Sequence, residues 1–157
     1  MMPAATPHGA VGKLAPRLDH RPLSNLPRSE DVEDPSLSCP FCAPNDGTWL
    51  GNAFAYVRCD LNPVTPGHLL LIPFRHVSIF FDINGEERDA ILELLGAART
   101  LVDEIHQPDG YNIGINIGAA AGQTVDHVHL HLIPRYRGDV DAPRGGVRGV
   151  IPSKQTY

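Results

Sequence analysis

His127-Val128-His129-Leu130-His131-Leu132-Ile133-Pro134 decides the fold of this chain. A helix turns by about 100° per residue and would point His129 away from His127 and His131. A strand sends successive side chains to opposite faces. It would align the three imidazoles on one face and turn Val128, Leu130 and Leu132 into a core. The stretch therefore predicts a β-strand carrying groups able to act as nucleophile, acid, base or metal ligand near neutral pH. A sheet surface that is merely rich in histidine, or a casual metal site, is the plainer alternative.

Working outward, residues 118–122 (Gly-Ala-Ala-Ala-Gly) form a turn, and residues 111–117 alternate as a second strand. Pro108-Asp109-Gly110 closes a helix that Asn84 opens, with Glu87 three positions on as its reciprocal acid. Ala90, Ile91, Leu94, Leu95, Ala98, Leu101, Val102 and Ile105 recur at helical spacing as its buried stripe. Further back, residues 53–58 and 69–72 read as strands joined by a short connection, which favours antiparallel pairing. The fold class is α+β: an antiparallel sheet of about five strands with one long helix packed on it. Residues 1–37 hold prolines and scattered charge and read as a flexible N-terminal arm. Residues 38–137 form the domain, and residues 138–157 a Gly/Pro-rich irregular tail.

Composition narrows the function. The chain has 157 residues, 42% of them hydrophobic, which suits one domain with tails. A net charge of −5 argues against broad nucleic-acid binding. No apolar run reaches the roughly 18 residues that cross a bilayer, and no secretory h-region is visible near the start. Three cysteines, an odd number, do not suggest a secreted disulfide framework. The expected location is the cytoplasm.

Two further constellations carry chemistry. Gly122-Gln123-Thr124 precedes the histidine row, and glycine-rich backbone beside amide and hydroxyl donors suits phosphate oxygens. Cys39-Pro40-Phe41-Cys42 has the spacing of half a tetrahedral zinc site; a redox dithiol and two idle buried thiols are the competing readings. Asp60 and Asn62 suit a turn as well as a ligand contact. Arg135, Arg137, Arg144 and Arg148 suit either polyphosphate or solvent.

The row from His127 to Ile133, with Pro66-Gly67-His68-Leu69-Leu70-Leu71-Ile72-Pro73 and Ala121-Gly122-Gln123-Thr124-Val125, resembles the histidine triad (HIT) superfamily, notably its fragile histidine triad branch. The likeness covers residues 50–137. It implies a homodimer with an extended sheet and nucleotidyl chemistry at an α-phosphate of a dinucleoside polyphosphate, adenine nucleotides above all. In that scheme His129 attacks phosphorus, steered by a hydrogen bond to the backbone carbonyl of His127. His131 and His68 contact phosphate oxygens, and Gln123 positions phosphate or leaving group. Gly122, Thr124 and Asn116 add contacts, and Asp60 accepts from ribose hydroxyls. No organic cofactor is implied. The zinc-bearing branch implies a structural Zn²⁺ held by Cys39, Cys42, His76 and His127. Water, inorganic phosphate or another acceptor would resolve the intermediate, giving a hydrolase, phosphorylase or transferase. A nucleotide-binding sensor, and a catalytic metal held by the three histidines, are the rival readings.

Overall fold

The computed structural model describes residues 39–42, 44 and 47–157, so the arm expected at residues 1–37 lies outside the described residues. Five strands make one antiparallel sheet: β1 (Thr48–Gly51), β2 (Ala55–Cys59), β3 (Leu69–Pro73), β4 (Gly110–Ile115) and β5 (Leu130–Arg135), in the order β1-β2-β3-β5-β4. The one long helix, α1 (Gly85–His106), connects β3 to β4. The α+β expectation of a sheet with a helix on one face is met.

Alternation sorts the two faces. Ala55, Val57, Leu69, Leu71, Leu130 and Leu132 pack on Ala90, Ile91, Leu94, Ala98 and Val102 of α1. This is the main core, and its apolar surface supplies the largest stabilising contribution. The opposite face carries Tyr56, Leu70 and Ile72, which gather with Phe41 and Phe74 into a second cluster. His131 lies on that second face, opposite Leu70 of β3 and Gly114 of β4.

Three expectations need adjustment. The ladder of β5 begins at Leu130, so His131 is the single triad histidine inside a strand. His127 and His129 occupy the irregular lead-in, where Val128 donates its amide to the Val77 carbonyl at 2.7 Å. That bond to the segment after β3 replaces a sheet partner. Ile105 shares the stripe of α1 but is exposed, because the packed cluster ends at Val102 and Ile105 falls in the last turn. β1, which carries Trp49, was not singled out in the sequence. At the other end of the sheet, the tail after residue 138 holds two short 3-10 turns, Gly146–Val150 and Pro152–Lys154.

The start of α1 is fixed as its sequence predicts. Asn84 accepts from the Glu87 amide at 2.9 Å, and Glu87 accepts from the Asn84 amide at 2.8 Å. Glu87 is buried and also takes a forked pair of bonds from Arg75 at 2.7 and 2.8 Å. The Arg75 guanidinium, first of its influences, holds the Glu87 carboxyl below the usual carboxylate range. This joint anchors the segment after β3, and therefore His76, to the helix. Gly67 (φ 80°) makes the turn into β3, and a Cβ there would meet the His106 ring at 2.8 Å.

Replacing Glu87→Ala removes the cap and the arginine partner together and should lower unfolding stability by about 2 kcal/mol. Glu87→Gln keeps the reciprocal cap and should cost about half as much. Urea denaturation of the two variants checks both values.

Candidate active site

Two chains of hydrogen bonds fix the imidazoles, and both start from backbone groups. A backbone amide can only donate, so the 3.3 Å bond from Val64 N–H makes His68 Nδ1 an acceptor. The proton of neutral His68 then sits on Nε2, which reaches His131 Nδ1 at 3.0 Å. His131 Nδ1 therefore accepts, and its own proton sits on Nε2. That Nε2 is buried and has no partner among the described residues. An orphaned donor of this kind costs on the order of 1–3 kcal/mol unless something else fills it.

The second chain runs through His127, whose side chain is fully buried. Its Nε2 donates to the Pro73 carbonyl at 2.9 Å, leaving the Nδ1 lone pair to face the Cys39 and Cys42 sulfurs. Its own carbonyl accepts from His129 Nδ1 at 2.8 Å. His129 consequently keeps the lone pair of Nε2, which bonds to nothing among the described residues. The His129 ring meets the His131 ring at 5.0 Å and the Phe41 ring at 5.1 Å, both edge-on.

Burial decides the charge of this cluster. Desolvation, reinforced by the neighbouring His129 and His68, pushes His131 down to about 4. Burial also lowers His68, although the Asp60 carboxylate 3.5 Å from its Nδ1 opposes the shift. Asp60 does turn chemistry at the same time, its Oδ1 accepting the Asn62 amide at 2.8 Å. Burial thus favours the uncharged forms of His68 and His131, and His131 presents an Nε2–H donor.

Gln123 is used differently from the sequence expectation. Its amide nitrogen donates to the carbonyls of Ser78 (2.8 Å) and Val125 (3.2 Å), and its oxygen accepts the Gly118 amide at 2.7 Å. The side chain thus clamps the loop before the histidines against the segment after β3. Gly122 (φ 85°) closes the 3-10 turn Ala119–Ala121. Thr124 is exposed on that loop, and Asn116 is half-buried just beyond β4. The tail arginines are engaged elsewhere. Arg135 pairs with Asp139, Arg137 with Asp109, and Arg144 and Arg148 stack over the Tyr157 ring at 5.1 and 5.3 Å.

Beside this site, Cys39, Cys42, His76 and His127 place one ligand atom each within 4.8 Å of one another. Cys39 Sγ lies 3.4 Å from His127 Nδ1, and Cys42 Sγ lies 3.2 Å from His76 Nδ1 and 3.7 Å from His127 Nδ1. Tetrahedral zinc bonds imply sulfur–nitrogen separations of ~3.6 Å, so the donor set fits a closed Cys₂His₂ centre. Burial and then the adjacent Cys39 push the Cys42 thiol up to about 11. The His127 Nε2–H bond to Pro73 is the outer contact that orients a metal-binding ring. His127, His129 and His131 do not bring ligand atoms within 4.8 Å of one another as a group, which counts against a metal held by all three. Phe41, between the cysteines, and the Val64 and Pro73 backbone groups were not recognised in the sequence; backbone partners leave no residue signature there.

Residues 51–138 match the model of the HIT domain. Over 127 residues the chain is 33% identical to a Mycobacterium tuberculosis protein named AP-4-A phosphorylase, covering 79% of this chain and 65% of that protein. Over 80 residues it is 38% identical to an asymmetrical bis(5'-nucleosyl)-tetraphosphatase of Schizosaccharomyces pombe, covering 51% and 44%. The chain thus spans less than two thirds of the length of either curated relative. A zinc-bound histidine triad family protein from Mycobacterium smegmatis matches with a TM-score of 0.60 and 34% identity, covering 67% of this chain and 80% of that one.

The lowered His131 has a consequence for stability. An unfolded His131 takes up its proton near pH 6.5, whereas the folded one resists until about 4. Its contribution is intact above pH 6.5 and is lost as the pH falls toward 4, because the unfolded state binds more protons in that window. His131→Asn should flatten the fall in unfolding free energy between pH 6.5 and 4 by on the order of 2 kcal/mol, measured by denaturant titration at fixed pH values.

Proposed function

This chain belongs to the HIT family, and on that premise we propose that it splits dinucleoside polyphosphates at an α-phosphate through a covalent nucleotidyl-His129 intermediate. The observation that carries the reading is the 2.8 Å bond from His129 Nδ1 to the His127 carbonyl. It leaves the Nε2 lone pair as the free nucleophile on a ring held in one tautomer. In the first step Nε2 attacks phosphorus, a P–N bond forms, and the P–O bond to the leaving nucleoside polyphosphate breaks with its electron pair on oxygen.

The orphaned His131 Nε2–H donates to a phosphoryl oxygen as negative charge builds there. His68 acts through His131: it holds the proton on the side facing the phosphate instead of contacting phosphate itself. Asp60, whose second oxygen lies beside His68, accepts from the ribose hydroxyls in this reading. Gln123, Gly122, Thr124 and Asn116 shape the loop that borders the phosphates. Bound zinc supplies a structural cross-link between the Cys39–Cys42 segment and the first triad histidine.

Water resolves the intermediate in a hydrolase, breaking the P–N bond and releasing a nucleoside monophosphate. A phosphorylase reading is favoured by the mycobacterial relative, whose name specifies that activity and whose match covers most of this chain. With bis(5'-adenosyl) tetraphosphate the two differ in product. Hydrolysis gives ATP and AMP, whereas phosphorolysis gives ATP and ADP, with phosphate consumed. The expected location is the cytoplasm, a reading that rests on the odd number of cysteines in the sequence.

The functional unit is a homodimer whose sheets join along β4. This strand is an edge, with Ile113 47% exposed on it. An apolar groove of about 300 Å³, lined by Leu92, Leu95, Tyr111, Ile113 and Leu132, runs beside it. A second copy satisfies both the open edge and the groove, as the resemblance to the superfamily implies.

Brief mixing with labelled substrate should place the label on His129, located by mass spectrometry. His129→Ala should lower turnover by about 10⁴-fold or more while nucleotide binding survives. Label on another residue, or unchanged turnover, sinks the proposal. Ile113→Asp should shift the particle from the dimer to the monomer mass in sedimentation velocity.

A further inference from the structure

The segment between the two cysteines does more than carry sulfur. Phe41 lies between them, is buried, and sets its ring edge-on to His129 at 5.1 Å and to His127 at 6.1 Å. The turn that carries it is closed by the Cys42 amide on the Cys39 carbonyl at 3.2 Å. The buried Tyr56 hydroxyl donates to the Phe41 carbonyl at 2.9 Å, and the Arg58 guanidinium lies 5.8 Å from the ring centre. From these contacts we infer that Phe41 is a positioning residue for the His129 ring, and that the Cys39–Cys42–His76–His127 metal centre is what holds Phe41 in place.

The geometry argues this in two steps. The His129 ring has one hydrogen bond, at Nδ1, which leaves it free to tilt about that bond. Two edge contacts, from His131 and Phe41, restrict the tilt. Take away Phe41, and the Nε2 lone pair sweeps an arc instead of pointing along one line. In-line attack on phosphorus tolerates little such spread. The second step is mechanical. The Cys39–Cys42 turn is tied to the body by the Tyr56 hydroxyl on the Phe41 carbonyl and by its sulfurs, which face His127 and His76 at 3.2–3.7 Å. A metal held by Cys39, Cys42, His76 and His127 would replace those three approaches with four bonds to one ion. The same His127 that takes the metal on Nδ1 offers its carbonyl to His129, so centre and nucleophile share one residue.

The kinetic half of this inference rests on the function proposed above; the spectroscopic half does not. The test uses the full zinc-loaded chain and its Phe41→Ala and Phe41→Leu variants, with the imidazole ¹⁵N and ¹³C signals of each histidine assigned at one pH. Phe41→Ala should keep its zinc yet broaden or split the His129 signals, with those of His68 unchanged. It should lower kcat with bis(5'-adenosyl) tetraphosphate by about tenfold while KM stays within about twofold. Phe41→Leu, which refills the wall, should restore most of both readouts. Removing zinc from the unaltered chain should reproduce the Phe41→Ala pattern at His129, and removing it from Phe41→Ala should change His129 no further.

Unchanged His129 signals in Phe41→Ala overturn the positioning role. A rise in KM alone does so as well, since Phe41 would then be a nucleotide contact. Unchanged His129 signals after zinc removal overturn the link to the metal. So does loss of the His68 signals along with them, because the metal would then hold the whole domain. A chain that turns over no dinucleotide yet shows the expected signals refutes the proposed function and leaves this inference standing.

Discussion

The structure depends on His127 being satisfied at three atoms at once. Nδ1 faces two sulfurs, Nε2 donates to the Pro73 carbonyl, and the backbone oxygen takes the proton of His129. The first contact reaches the segment before β1, the second the end of β3, and the third the residue two places on. A fully buried imidazole with an unmet nitrogen would be costly, so each partner is under constraint from the others. Moving the end of β3 would release His127 Nε2, and with it the orientation on which His129 relies.

Desolvation complements that constraint. Removing the rings from water holds His127 and His131 near 4 and lowers His68, with burial the leading cause in each case. Neutral imidazoles offer lone pairs and N–H donors without the repulsion of adjacent cations. The cost is a polar cluster on the sheet face that also carries the apolar Leu70 and Ile72. Val64 and Pro73 meet part of that cost with backbone groups, which cannot change their hydrogen-bonding role. Tautomers set in this way do not depend on a titrating neighbour.

Much of this arrangement was legible in the residues. Alternation put His131 and Leu132 on opposite faces of the sheet, and Asn84 with Glu87 marked the helix start, because both patterns follow from local geometry. Cys39 and Cys42 announced a sulfur pair by spacing, while His76 and His127 joined them only through family likeness. What escaped lay in contacts that spacing does not encode. Gln123 turned out to grip three backbone groups of its surrounding loops. Phe41 drew no reading of its own between the cysteines, although its ring meets His129 from across a long stretch of chain. The start of β5 at Leu130, instead of at His127, follows from a bond between Val128 and Val77 that no periodicity reveals.

The strand order has a consequence for biosynthesis. β5, last of the strands to leave the ribosome, inserts between β3 and β4 instead of adding at a rim. Until it arrives, a nascent chain holds Leu69-Leu70-Leu71-Ile72 with one ladder side unsatisfied, beside a helix whose apolar stripe is only partly covered. Such an open, greasy template invites pairing with other polypeptides, so the interval before residue 135 emerges is when this protein most needs a chaperone.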